Sequence, residues 1–201
     1  MTDSSARFPR RGTPFTRALA RRLLALGGWR IEGALPDEPR FVIIVAPHTS
    51  NLDFLVGVLA MFAVGVRLNW LGKHTLFRFP VAPLLRWLGG EPIDRNARRG
   101  TVEVAIERFR TRPQWVLGLT PEGTRRRVEQ WRTGFHQIAV GAGVPVVPVW
   151  MDYQRRVLGL GAPMRLAGDP ATDVAVVRSL YRKEMARYPE QFAESLVTGV
   201  R

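Results

Sequence analysis

The stretch that decides the fold is Phe41-Val42-Ile43-Ile44-Val45-Ala46, followed by Pro47-His48-Thr49-Ser50-Asn51-Leu52-Asp53. Six apolar residues without alternation have the length and β-branched character of a strand buried on both faces, as in a parallel sheet. Pro47 ends that run. Thr49, Ser50 and Asn51 offer N-cap side chains for a helix starting near Leu52. A buried strand that turns sharply into a helix is the first half of a β-α unit.

The same alternation continues in both directions. Upstream, residues 1–14 read as a basic, disordered tail, and 15–29 suit a short amphipathic helix that packs on the domain, with a membrane interface as its other use. Downstream, strands are expected over 67–71, 91–93, 115–119 and 144–151, with a short last one at 164–166. Helices are expected from about Val81, over 99–110, over 135–141 and over 174–187, the helix over 99–110 carrying Val102, Ala105, Ile106 and Phe109 on one side. The segment holding Phe77, Phe79, Val81, Leu84, Leu85, Trp87 and Leu88 suits core packing first. A tunnel for an apolar chain or lipid contact is its other reading, and Arg78 and Arg86 favour a membrane-facing edge. There is no repeat and no linker. The expectation is an α/β fold, a single domain with a mostly parallel central sheet flanked by helices. The tail and first helix occupy 1–34, and the catalytic domain 35–201.

Composition bounds the chemistry. The chain has 201 residues, enough for one sizeable core, and no cysteine, which excludes disulfides, thiolate metal sites and a cysteine nucleophile. Three histidines (His48, His74, His136) without metal-ligand spacing argue against zinc, so no metal is expected. Thirty basic against 17 acidic residues give a net charge of +13. Such an excess implies an anionic partner: nucleic acid, an acidic membrane surface or an anionic substrate. Only two of the basic residues are lysine, a bias that codon usage alone can produce, so charge narrows the partner to an anion and no further. No RNA-recognition aromatic signature or recognition helix supports nucleic acid, which stays a remote alternative. No apolar stretch reaches the roughly 18–20 residues of a membrane-spanning helix, and arginines interrupt the N-terminal apolar residues as they would not in a signal peptide. The expected location is cytoplasmic, peripherally associated with the inner face of the cell membrane.

Two short motifs carry the chemistry. His48 and Asp53 stand either side of a predicted strand-to-helix turn. A carboxylate bonded to one imidazole nitrogen fixes the tautomer and leaves the other nitrogen to accept a hydroxyl proton. Alone, this spacing is also that of a capping histidine beside a helix-starting Asp. The second motif, Thr120-Pro121-Glu122-Gly123-Thr124-Arg125, follows a predicted strand, where ligands sit in α/β folds. Gly123 lets the backbone approach closely, Thr124 offers a hydroxyl and Arg125 can grip a phosphate bidentately. A basic surface hairpin is the alternative.

Both motifs resemble signature blocks of the glycerolipid acyltransferases, the 1-acylglycerol-3-phosphate acyltransferases and their lysophospholipid-acylating relatives. Residues 73–96, especially Gly90-Glu91-Pro92-Ile93-Asp94-Arg95, are similar to that family's second block, and 143–149 to its fourth. The resemblance covers roughly residues 40 to 150, in the family's order. It implies a glycerol-3-phosphate acyltransferase-like fold and His48 as the base with Asp53 orienting it. It further implies Glu122, Gly123, Thr124 and Arg125 as the binding site for the acceptor's phosphate, and Arg95 as a second phosphate ligand. The implied donor is an acyl thioester, either acyl-CoA or acyl-carrier protein, with no other cofactor. The implied acceptor is a lysophospholipid, foremost 1-acyl-sn-glycerol-3-phosphate, with a lyso-aminolipid or another alcohol as the alternative. Pro47 stands where the family commonly has Asn, Thr120 where it often has Phe, and the arginines after Arg125 depart from its pattern.

Overall fold

The computed structural model describes residues 7–93, 100–124, 127–166 and 168–192. Its strands are β1 (Arg30–Gly33), β2 (Arg40–Ala46), β3 (Leu68–Lys73), β4 (Gly90–Ile93), β5 (Trp115–Leu119), β6 (Val146–Asp152) and β7 (Val157–Leu160). Its α-helices are α1 (Pro14–Leu26), α2 (Leu52–Val64), α3 (Ala82–Trp87), α4 (Thr101–Thr111), α5 (Gly134–Ala142) and α6 (Pro170–Ser179). The strands form one sheet in the order β1-β7-β6-β2-β5-β3-β4. All neighbours are parallel except β6 and β7. This is the mostly parallel α/β sheet that the sequence implies.

β2 lies between β5 and β6, and its alternating side chains feed two cores. Val42, Ile44 and Ala46 join Trp115, Leu117 and Val146 beneath α4, α5 and α6, where Phe109, Ile138 and Val177 meet them. Phe41 and Ile43 point the other way with Val116 and Val147, toward Met61 of α2 and Leu88. α1 lies outside on α2, burying Ala20 and Leu24 against Val56 and Ala63. Each aliphatic side chain so enclosed contributes about 1.5–3 kcal/mol. Burial on both faces is why the β2 run shows no polar alternation.

Three expectations are corrected. The stretch 7–13 is not a free tail: Phe8 is buried, Arg10 bridges to Val66, and the Arg11 N–H donates to the Gly65 carbonyl. Just after α1, β1 pairs with β7 as an edge strand of the sheet. The last strand is β7, whereas at 164–166 only Met164 makes an isolated bridge to Val146. The closing helix starts earlier, with Asp169 capping the Thr172 N–H and Pro170 in its first turn, and it stops at Ser179. Beyond it, the chain makes two short 3-10 turns that return toward the carboxyl end of β6.

Core packing does not describe residues 77–88 either. Leu88 and Ala82 are buried, but Phe79 is 91% exposed and Trp87 59% exposed, with Val81 and Leu84 also outward. α1 shows Phe15, Leu19, Leu23 and Leu26 to solvent in the same way. No described helix is long and apolar enough to cross a membrane.

Candidate active site

His48 lies in the connection between the carboxyl end of β2 and the first turn of α2, two residues beyond the strand. Asp53, the second residue of α2, turns its carboxylate back over that connection. Oδ2 accepts the backbone N–H groups of Thr49 and Ser50, each at 2.8 Å, and lies 3.2 Å from His48 Nδ1. Oδ1 accepts the Tyr153 hydroxyl at 2.6 Å. Ser50 Oγ accepts the Leu52 N–H, while Asn51, the residue at the N-cap, makes no capping bond with its side chain. The carboxylate therefore does the work of closing the turn, and the helix N-terminus favours its negative charge.

Burial acts to raise the Asp53 pKa, but the bonds from His48, Tyr153 and the Ser50 backbone, with the His48 charge, outweigh it and hold the carboxyl below its usual range. An ionised Asp53 on Nδ1 selects the tautomer with the proton there. Nε2 is left as the acceptor nitrogen.

The second motif arrives from β5. Its turn is closed by the Gly123 N–H on the Thr120 carbonyl, and Gly123 has φ +65°, a left-handed conformation that glycine adopts without strain. Glu122, only 3% exposed, points into the site, where Oε2 accepts the backbone N–H of His48 at 2.8 Å. Its Oε1 is buried without a partner among the described residues. Burial pushes this carboxyl up to about 7, against the lowering by the His48 N–H and ring and by Arg178. Thr124 is half-buried in the same turn.

The structure thus brings His48, Asp53 and Glu122 together, with Gly123 and Thr124 beside them. Arg95 and Arg125, like Asp94 and Arg126, lie outside the described residues. Glu91 is held away from this site by Arg108 and Arg112 at 2.9 and 2.7 Å and by Trp115 Nε1. His136, buried on α5, bonds Asp173 of α6 at 2.9 Å and is a structural link between helices. No group of three or more His, Asp or Glu among the described residues is placed to hold a metal ion.

Two contributions escape the sequence reading. Tyr153 reaches Asp53 from a hundred residues away, and its one signal is a place just after the apolar run of β6. The turns at 183–191 cover the site: the Met185 carbonyl accepts the Tyr153 N–H at 2.9 Å, and the Tyr188 N–H donates to Thr49 Oγ1 at 3.3 Å.

The chain resembles known proteins in sequence and in fold. The 1-acyl-sn-glycerol-3-phosphate acyltransferase of Escherichia coli (strain K12) is 33% identical over 138 residues, 64% of this chain and 55% of its own length. The enzyme of the same name from Haemophilus influenzae is 29% identical over 138 residues, covering 64% of this chain and 56% of that protein. The chain therefore spans about half the length of the curated relatives it matches. The crystal structure of the 1-acyl-sn-glycerophosphate (LPA) acyltransferase PlsC from Thermotoga maritima superposes with a TM-score of 0.61 at 20% identity, over 83% of this chain and 75% of that one, a likeness of fold. The family model described as Acyltransferase matches residues 31–152, from the edge strand β1 through His48, Asp53 and Glu122 to the end of β6, and by that match the chain belongs to the Acyltransferase family.

Proposed function

We propose that this protein moves a fatty acyl group from an acyl thioester to the free hydroxyl of a lysophospholipid, foremost 1-acyl-sn-glycerol-3-phosphate, giving phosphatidic acid. The observation that carries the reading is the His48 Nδ1–Asp53 Oδ2 contact at the carboxyl end of a central strand, which leaves Nε2 as a base. The names of the similar proteins support the choice of acceptor.

In this mechanism Nε2 of His48 takes the acceptor's hydroxyl proton as its oxygen attacks the thioester carbonyl. The tetrahedral intermediate collapses, the C–S bond breaks, and the imidazolium returns its proton to the departing thiolate. Asp53 stabilises the imidazolium between those steps. Neither a serine nor a cysteine nucleophile is used. Glu122 fixes the backbone of the base, and Gly123, Thr124, Arg125 and Arg95 bind the acceptor's phosphate. Acyl-CoA or acyl-carrier protein serves as donor, and no metal or other cofactor takes part.

The enzyme works at the inner face of the cell membrane, on an anionic surface. Support comes from the exposed apolar side chains of α1, which packs on α2, and of residues 79–87, whose Trp87 meets Phe62 of α2. Arg11 stacks on Phe62 and Trp87, and the exposed Arg22, Arg78 and Arg86 lie in the same stretches of chain as the apolar groups. Apolar side chains ringed by arginines suit the boundary between headgroups and acyl chains.

The test is transfer of labelled acyl groups, from both donors, to a panel of lysolipid acceptors by the wild type and His48→Ala. Transfer to 1-acyl-sn-glycerol-3-phosphate that His48→Ala abolishes is expected. Transfer only to a lyso-aminolipid or another alcohol keeps the chemistry and replaces the acceptor. Equal activity in His48→Ala sinks the mechanism.

A further inference from the structure

Within this acyl-transfer reading, we propose that Tyr153 is a positioning residue: its hydroxyl locks the Asp53 carboxylate in the rotamer that presents Oδ2 to His48. The last torsion of a carboxylate is soft, and a turn away from the observed setting takes both oxygens off their donors. Oδ2 is committed to Thr49, Ser50 and His48. Oδ1 lies in the interior, and the Tyr153 O–H is the donor that satisfies it. At 2.6 Å this bond has the short length of a hydroxyl on an ionised acceptor, and losing it would leave a buried anionic oxygen unpaired.

Tyr153 is itself held from three directions. Trp29 meets its ring edge-on at 4.9 Å, the Arg187 guanidinium lies 5.8 Å from the ring centre, and its N–H is bonded to the Met185 carbonyl. Burial first, then the bond to Asp53 and its charge, raise the phenol's pKa, so the hydroxyl stays a donor throughout the neutral range. Among the described residues, the charged or titratable groups that act on the pair are His48 from the β2–α2 connection, Glu122 from the turn after β5, and Arg187 from the closing segment.

Without the Tyr153–Asp53 bond the last torsion of the carboxylate is freed, and Oδ2 is no longer held in place on Nδ1. The rate falls for that reason, and the binding of substrates is untouched.

Tyr153→Phe keeps the ring, and with it the contacts to Trp29 and Arg187. The expected result is a kcat lower by about 10–100-fold, from the loss of one hydrogen bond to a charged group. KM for both substrates stays within about twofold, because the hydroxyl acts through Asp53 rather than on substrate. An unchanged kcat overturns the proposal, and so does a raised KM at constant kcat. Proton NMR of the His48 Nδ1–H···Asp53 bond, assigned by its loss in His48→Ala, tests the same point without turnover. Its low-field resonance is expected to shift in Tyr153→Phe, and an identical resonance overturns the proposal even if the enzyme is active. A wild type that acylates no acceptor while this resonance still shifts refutes the functional reading and leaves the role of Tyr153 in holding Asp53 intact.

Discussion

Glu122 Oε2 accepts the backbone N–H of His48 at 2.8 Å, joining two motifs 74 residues apart. The bond gives an acid from the β5 turn a place beside His48: it fixes the peptide that carries the imidazole. Glu122→Gln keeps an oxygen acceptor for that N–H, whereas Glu122→Ala leaves a hole and an unpaired donor. Alanine is therefore expected to lower kcat far more than glutamine, with at least about tenfold between the two variants. Steady-state kinetics on the pair, at matched folded fraction, decides it.

The same carboxyl sets a pH dependence of stability. Its folded pKa, about 7, lies above the unfolded value of 4.5, so the folded state holds the proton more tightly. Stability from this group is fully present below pH 4.5 and is lost as pH rises to about 7, where the loss levels off. The shift corresponds to roughly 3 kcal/mol. Glu122→Gln is expected to remove this slope, so urea melts at pH 5 and pH 8 should converge in the variant. Asp53 acts oppositely: its lowered pKa gives stability that is lost as pH falls through the acid range.

Removing either member of the proposed base pair is expected to act on turnover. His48→Ala is expected to lower kcat by about 10²–10⁴-fold, the usual worth of a general base. Asp53→Asn preserves size but puts an amide among donors it cannot all accept, and a loss of at least about 100-fold is expected. Single-turnover rates with either thioester donor measure both.

Gly123→Ala tests the turn. With φ at +65°, a side chain here is strained, and its Cβ would lie 2.8 Å from Arg132 Nε. A cost of about 1 kcal/mol is expected, visible as a Tm lower by about 2–4 °C for a chain of this size. A higher KM for phosphate-bearing acceptors alone would place the turn at the phosphate.

The exposed apolar side chains of α3 and of the loop before it make a separate prediction. Combined Phe79→Ala and Trp87→Ala should weaken binding to anionic vesicles by at least about tenfold, given the apolar area these rings carry. Transfer to a water-soluble short-chain acceptor should persist. Co-sedimentation with vesicles of increasing anionic lipid content measures it, and undiminished binding would move the lipid contact elsewhere.

How far the fold could be read in advance depended on where each segment finds its partners. β2, β5 and β6 are enclosed by helices on both faces, and their unbroken apolar runs say so. β1 has one apolar residue, Ile31, and is a strand because β7 pairs with it. β7 in turn is only four residues with a glycine among them, too short for periodicity to register. The helix expected through residue 187 gives way to tertiary demands: the Tyr181 hydroxyl bonds the Ile44 carbonyl, and Met185 offers its carbonyl to Tyr153. In the candidate site, His48 and Asp53 are close in sequence and legible as a pair. Tyr153 is not, because no local pattern records a bond made across the sheet.

The turns at 183–191 have a consequence for the order of events in the cell. Thr49, four residues from Asp53, receives a bond from Tyr188, which leaves the ribosome 139 residues later. Tyr153 likewise waits for Met185. The sheet can assemble earlier in synthesis, as domains do, yet Thr49 and Tyr153 lack these bonds until this segment docks. A chain released early would carry the histidine, the aspartate and most of the core, and still lack the segment that closes over them.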